Sequence, residues 1–509
     1  METYTNPICD DCDLTQQYKT TRLRLEEYYQ DNCKICKKLE HIKNEIILDP
    51  KETRIKNLRI QYLEYINARI KNWSNASEIL VKYLLDNNKI YTTRSDEKAE
   101  VWIYKEGIYI PEGRSEIKEQ LRIILTEHYS TFIYNLVMCK IETDTYISAE
   151  SFFSTNNKDE ILLNNGILNL KTENLTSFDS KKIFFNKLPV KYEPGIECPM
   201  IDKFLKEVLS KEEDITVFYE LAGFSLLKDY RYEKSFMLIG DGRNGKGKSI
   251  ELLKRLVGIE NCSSIPLTSL IPESFQVSEL FGKLLNLAGD IGNTDLKETS
   301  MFKSLTGRDL VSGKRKFLNS IHFQNHAKFV FACNDLPQVY DLSRGFWDRW
   351  ILLEYPYTFV QEEEYASTID KTYIKLRDVE IIDKISTETE LSGFLNKALE
   401  GLKRLSKNNR FSSTMGTEEV KKQWIRRSNS IIAFCYDHII EDPEGSIPKK
   451  DFRNIYLKYC ENHKITPKSE VVIKKILFEL FNASDSQTQN FNIQGRYWEG
   501  IKLNPNMKL

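Results

Sequence analysis

The chain has 509 residues, enough for about three to five domains of ~100–200 residues each. Its 73 basic and 74 acidic side chains nearly cancel, which excludes a globally basic protein that coats nucleic acid passively. No run approaches the ~18 apolar residues of a bilayer span, and the first residues lack the basic-then-apolar pattern of a secretory signal, so a soluble protein without membrane partners is expected.

Residues 1–75 read as a separate N-terminal region. Cys9-x₂-Cys12 and Cys33-x₂-Cys36 form two thiolate pairs able to close a tetrahedral Zn²⁺ site of structural type. A highly charged helical run comes next, with Ile55, Leu58, Tyr62, Ile66 and Ile70 on one stripe. The other six cysteines are isolated along the chain and read as inert core residues. Residues 76–200 form an α+β region. A helix around SEILVKYLLDNN precedes a hairpin turning at Lys105-Glu106-Gly107, and a second hairpin turns at Asn164-Asn165-Gly166. Pro194 and Pro199 mark a linker.

Residues 201–360 alternate apolar strands with helices, an α/β pattern. The apolar strand Phe236–Ile239 runs into GDGRNGKGKS, then into an amphipathic helix carrying Ile250, Leu253, Leu256 and Val257 on one side. Strand, glycine loop and helix are what a triphosphate cradle needs. Glycines let backbone N–H groups turn inward, the helix start adds partial positive charge, and a lysine adds a full one. Two registers fit the cradle Gly240, Asp241, Gly242, Arg243, Asn244, Gly245, Lys246, Gly247, Lys248 and Ser249. GDGRNGK makes Lys246 the phosphate lysine, with Gly247 where a hydroxyl is expected. GRNGKGKS makes it Lys248, with Ser249 as the hydroxyl.

A second buried strand, Leu284 to Ala288, ends at Asp290, an acid suited to the Mg²⁺ shell, held through water. Glu298 is a further candidate for the general base. Short β runs flank Ser312-Gly313, followed by Lys314, Arg315 and Lys316, a basic cluster suited to tracking a phosphate backbone. A third strand, Phe329–Cys333, ends at Asn334, whose amide can bridge a γ-phosphate and its attacking water; Arg344 and Arg349 come after it.

The order GDGRNGK, AGDIG, SLTGRDLVSGKRKF, FVFACNDLP, GFWDRW resembles the superfamily 3 DNA helicases, above all the helicase portion of phage and plasmid primase–helicases and their poxvirus relatives. The resemblance is strong over 200–360 and reaches more weakly back to about 95. It implies an AAA+-like P-loop ATPase core in a homo-hexameric ring in the host cytoplasm, with ATP between subunits and one DNA strand in the pore. It implies Lys246 as phosphate lysine, Asp290 as metal-site acid, Asn334 as sensor, Lys316 with Lys314 as DNA contact, Arg349 as the finger offered to a neighbour, and 3′-to-5′ movement. Gly289 before a lone Asp290 departs from the family's paired acids. A primase domain is not expected, which points to a separate primase as partner.

Residues 361–430 are polar and read as helical. Residues 431–509 run helix, helix, hairpin, the order of a winged helix, with Lys468, Lys474, Lys475 and Arg496 placed to meet duplex phosphates. The rival reading is an origin-binding or regulatory protein whose core is a nucleotide switch without unwinding activity.

Overall fold

The computed structural model describes residues 50–68, 71–93, 99–153, 158–272, 275–289, 295–315, 318–341, 343–463, 465–490 and 493–505. The four paired cysteines, Asp290 and Lys316 therefore lie outside the described residues. The chain forms two compact units, one of residues 1–157 with 178–185 and one of 158–177 with 186–509.

In the first unit, helices α1 (Pro50–Asn67) and α2 (Trp73–Asn87) precede strands β1 (Ile90–Thr93), β2 (Glu100–Lys105) and β3 (Ile108–Ile110). Helices α3 (Gly113–Leu125) and α4 (Thr131–Asp144) and strand β4 (Tyr146–Ile147) come after them. The sheet order is β3-β2-β1-β4. The expected hairpin is present. Glu106 and Gly107 both take positive φ, 45° and 103°, the backbone a two-residue turn needs to match strand twist. Helix α1 does not belong to a separate N-terminal region: Leu58, Tyr62 and Leu63 join one core with Leu80, Leu84, Ile117 and Leu121.

The second unit begins with β5 (Glu160–Leu163), β6 (Gly166–Asn169) and β7 (Leu175–Thr176), the hairpin expected at Asn164-Asn165 plus a short third strand. Leu163, Leu168 and Leu170 are buried in this unit's large core. Next come α5 (Pro199–Val208), with Pro199 in its first turn, and α6 (Glu212–Ser225). The central elements are β8 (Ser235–Ile239), α7 (Lys246–Val257), β9 (Cys262–Ser263), β10 (Leu285–Ala288), α8 (Ser300–Thr306), the hairpin β11 (Leu310–Arg315) with β12 (Leu318–Gln324), β13 (Lys328–Cys333) and β14 (Trp350–Glu354). Five of these strands form an all-parallel sheet in the order β14-β8-β13-β10-β9. β8 and β13 are buried along their whole length, as parallel strands covered on both faces must be.

Residues 361–430 are not simply helical. β15 (Thr358–Val360) pairs in parallel with β16 (Ile374–Leu376), and α9 (Ile381–Ile385), α10 (Glu388–Asn408) and α11 (Thr417–Ser428) come after them. A three-residue strand shows no periodicity, so Ile374-Lys375-Leu376 has no strand signal of its own. Helices α6 and α10 meet at glycines, where a Cβ on Gly223 would run into the Ala398 carbonyl and one on Gly401 into Tyr219 backbone. The fully buried carboxylate of Glu220 is satisfied there by Arg404 at 2.8 Å and by the Ser412 amide at 2.8 Å.

The C-terminal elements are α12 (Ser430–His438), β17 (Ile439–Pro448), α13 (Lys449–Asn462), α14 (Glu470–Phe481), β18 (Ser484–Asn490) and β19 (Ile493–Leu503), with sheet order β17-β19-β18. Phe434, Phe452, Tyr456 and Trp498 build a core of their own. The protein is a mixed α/β structure with several sheets. Among the described residues no helix is long and apolar enough to cross a membrane. Of the isolated cysteines, Cys198, Cys333, Cys435 and Cys460 are buried as expected, whereas Cys139 is exposed and Cys262 intermediate.

Candidate functional site: a glycine-walled cleft at the strand ends

Parallel sheets offer ligands the crevice beyond the carboxyl ends of their strands. Here β8 and β13 are neighbours, so the loop after Ile239 and the residue after Cys333 are brought side by side. A cleft of about 810 Å³ opens there, lined by Gly242 to Lys248, by Gly289, and by Ala332 to Asn334.

The loop's shape comes from its residues. Gly242, Arg243 and Gly245 take positive φ, at 93°, 46° and 91°. Such a run turns successive N–H groups toward one side, the geometry of an anion-binding nest. Asn244 is buried and donates to the Tyr355 carbonyl at 3.4 Å, which ties the loop to the end of β14. A Cβ at Gly240 would run into the same two partners. At Gly242, Gly247 and Gly289 a Cβ would meet nothing within 4 Å. These glycines leave room, and bring backbone close to whatever fills it.

Helix α7 starts at Lys246, with left-handed Gly245 at its N-cap. Lys246 is buried, and its ammonium donates to the Gly240 carbonyl and, at 3.1 Å, to Asn334 Oδ1. The two residues from separate motifs are thus in direct contact. Lys248, two residues on, is exposed. The Ser249 side chain is fully buried, its hydroxyl directed to that of Tyr355, and Ser249 is absent from the cleft wall. Gly247 occupies the wall where a first-turn hydroxyl would stand.

Other residues singled out in the sequence are dispersed. Glu298 is exposed; hydrogen bonds from the Ser300 hydroxyl and from the Ser300 amide, the latter at 2.7 Å, hold its carboxylate below the usual range at the start of α8. Arg349 lies beside the amino end of β8, where its carbonyl accepts the Ser235 amide at 2.7 Å, the opposite edge of the sheet from the cleft. Its guanidinium is mostly buried, bonded to Thr306 Oγ1 at 2.8 Å and to the Gly345 carbonyl, with Glu233 at 3.5 Å. Arg344 is 85% exposed, 3.3 Å from Asp348. Strand β11 runs through Ser312-Gly313 rather than turning there, and pairs up to Arg315 opposite Leu318. The exposed Lys314 therefore sits near the far end of this hairpin. In the C-terminal region, Lys474 and Arg496 reach Asp485 at 3.5 and 3.2 Å, joined by Lys449 at 2.7 Å. Lys475 stands 3.7 Å from Glu479, and the Lys468 amide donates to the Tyr456 hydroxyl at 2.8 Å. Among the described residues no group of three His, Cys, Asp or Glu side chains is arranged to hold a metal.

Sequence reasoning missed one wall of the cleft. Phe204 and Val208 of α5, Phe359 of β15, Leu376 of β16, and Ile381 and Ile382 of α9 line it. The Phe359 amide donates to the Arg243 carbonyl at 2.7 Å, and Arg243 pairs with Glu364 at 3.1 Å, so this segment is fastened to the loop itself. No motif signals it; only the parallel pairing of β15 with β16 carries it there.

An α/β domain with a buried lysine at a glycine-walled helix start is the class this geometry defines. Known proteins add a family likeness. Residues 24–210 match the family model described as "D5 N terminal like", and 238–346 match a family of unknown function, DUF5906. The chain is 26% identical over 363 residues to "Putative helicase V13" of Sputnik virophage, a match covering 67% of this chain and 44% of that protein. It is 24% identical over 178 residues to "Putative helicase L207/L206" of Acanthamoeba polyphaga mimivirus, covering 34% and 18%. The chain thus spans less than half the length of either relative. A solved structure of the NrS-1 C-terminal region overlaps 83% of this chain and 98% of its own, at 14% identity and a TM-score of 0.38. The likeness to viral helicases implied by the motif order is present in the sequence relatives.

Proposed function

We propose that this protein is an ATP-driven replication helicase of superfamily 3, working as a homo-hexameric ring on DNA. The observation that carries the reading is the contact between Lys246 and Asn334. Two motifs 88 residues apart place an ammonium and an amide against one glycine-walled cleft. A triphosphate entering there would take the Lys246 ammonium from the Gly240 carbonyl, while loop amides and the start of α7 face its oxygens. Asn334 would then orient the water that attacks the terminal phosphate.

This arrangement supports Lys246 over Lys248 as phosphate lysine. Mg²⁺ fits less directly. The first-turn position is Gly247, so the ion would be held by the phosphates, water and Asp290, and would supply charge neutralisation. Arg349 lies at the opposite strand end from its own cleft, so its part would be played at a neighbour's nucleotide, with the guanidinium released from Thr306 and the Gly345 carbonyl. The β11–β12 hairpin with Lys314, Arg315 and Lys316 would contact the strand in the pore. The C-terminal region would be a winged helix on duplex DNA, and the paired cysteines would hold structural Zn²⁺.

The test is steady-state ATP hydrolysis with and without single-stranded DNA, beside strand displacement on a forked duplex and mass measurement of the assembly with ATP. The expected result is DNA-stimulated turnover and displacement by the assembled ring alone. Nucleotide binding without turnover or displacement would reject the motor and leave the nucleotide-switched, origin-binding reading.

A further inference from the structure

Among the described residues the buried carboxylates are those of Asp214, Glu220 and Glu390. Glu220 has Arg404 and the Ser412 amide, and Glu390 accepts the amides of Met200 and Ile201 at 3.2 and 3.1 Å. Asp214 differs. It is 8% exposed, in the first turn of α6, and accepts no hydrogen bond among the described residues. Burial pushes its carboxyl up to about 6, with Lys211 opposing that rise and Glu213 adding to it, so the group is ionised at neutral pH. A buried charge without a partner is costly unless something else comes to meet it.

Asp214 lines a cavity of about 200 Å³ at the carboxyl end of the edge strand β14. That volume is far above the ~10–15 Å³ a single water needs. The cavity shares no lining residue with the glycine-walled cleft. Ile239, Leu352 and Met415 give it an apolar wall. Its other charged groups are already engaged or solvated. Glu213 accepts the Thr414 amide at 2.6 Å and the Thr414 hydroxyl at 3.0 Å, Glu354 is paired with Arg427, and Lys211 is exposed. Three carboxylates (Asp214, Glu213, Glu354) against two cations (Lys211, Arg427) leave one negative charge, which repels an anion. Among the described residues no three acidic, His or Cys side chains are grouped to hold a metal ion. What fits is one positive charge on a carbon chain, whose methylenes displace water along the apolar wall.

We infer that this cavity binds a primary alkylammonium group, its carbon chain along Ile239, Leu352 and Met415 and its nitrogen donating to the Asp214 carboxylate. Such a charge-assisted bond supplies the partner that the fold itself withholds from Asp214. A free linear amine and a lysine side chain of a second copy of this chain present the same group. The inference does not rest on the phosphate-loop reading, and a failure of either leaves the other standing.

The experiment measures binding of n-pentylammonium, tetramethylammonium and 1-pentanol to the full chain by calorimetry, for the wild type and Asp214→Asn. The wild type should bind n-pentylammonium at least about tenfold more tightly than tetramethylammonium, which has no N–H, or 1-pentanol, which has no charge. Asp214→Asn keeps the side-chain shape and should lose that preference, while melting, without amine, no lower than the wild type. The probe series needs only the wild type, so the site stays open to refutation even if the variant misfolds. Sedimentation with and without n-pentylammonium separates the two sources. A mass that falls as the amine is added assigns the site to a lysine of a second copy, and an unchanged mass assigns it to a free amine. No binding of n-pentylammonium, equal affinity for the three probes, or unchanged affinity in a folded Asp214→Asn overturns the site and leaves a pocket of water.

Discussion

Two lysines lie buried at opposite ends of the β8–β13 strand pair. Lys246 stands past the carboxyl end of β8, bonded to the Gly240 carbonyl and to Asn334. Lys328 begins β13 and is completely buried; it donates to the Leu227 carbonyl and to that of His326 at 2.7 Å, with the Phe224 ring 4.8 Å away. Both ammonium groups rest on main-chain carbonyls. What separates them is the space in front. Lys246 faces a cleft with open glycines, where a ligand can replace its present partners, whereas Lys328 is enclosed by aromatic side chains. Burial of a cation marks a binding site only where there is room for an anion.

Replacing each lysine tests that contrast, and the largest effect is expected at the cleft. Lys246→Ala should lower ATP turnover by about 10³-fold or more with little change in melting temperature, while Lys248→Ala stays within about threefold. Full activity in Lys246→Ala with loss in Lys248→Ala would move the phosphate lysine two residues along and dissolve the comparison.

Arg349 extends the test to the amino edge of the strands, the end that Lys328 shares. Arg349→Ala should cost about 10³-fold in turnover, and also about 1–3 kcal/mol of stability through its bonds to Thr306 and Gly345. Mixing inactive Arg349→Ala chains with inactive Lys246→Ala chains should restore partial turnover, since some interfaces then carry both groups. A mixture that stays inactive argues against an arginine shared across subunits. Arg344→Ala, at an exposed position, serves as the control.

Lys328 gives a smaller, pH-dependent effect. Burial pushes its ammonium down from 10.5 to about 7. Between those values the unfolded chain holds a proton that the folded chain has released. This group's unfavourable contribution is therefore full below pH 7 and is relieved as pH rises toward 10.5. Wild type minus Lys328→Met stability, from urea midpoints, should rise by about 1 kcal/mol per pH unit between pH 7.5 and 9.5. A flat difference would mean that Lys328 is not held in so dry a place.

The smallest effect is expected in the C-terminal region. Lys474 and Arg496 share Asp485, so part of their charge is already spent. Lys474→Ala or Arg496→Ala should reduce the salt slope of duplex binding by about 1 each. An unchanged slope would remove these residues from the DNA surface.

Much of the cleft was legible in the residues. An apolar run, a glycine loop and an amphipathic helix announce themselves locally, and so does a strand ending in Asn334. The hairpins at Glu106-Gly107 and Asn164-Asn165 were legible for the same reason, since turn chemistry is carried by adjacent residues. The strand at Ile374–Leu376 was not, being too short for a period. Nor was the return of residues 158–177 to the second unit, which depends on where Leu163, Leu168 and Leu170 find a core.

The amino-acid order by itself determined the local elements around the loop, because backbone preference and hydrophobic period act over a few neighbours. It admitted two registers for the phosphate lysine, with the motif order pointing to Lys246, and gave no hint of an apolar wall. The tertiary structure brought Lys246 against Asn334 by pairing β8 with β13, and built the apolar wall by pairing β15 with β16 so that Leu376 faces the same cleft. Those pairings depend on which distant surfaces pack together, a quantity that no short stretch of sequence contains.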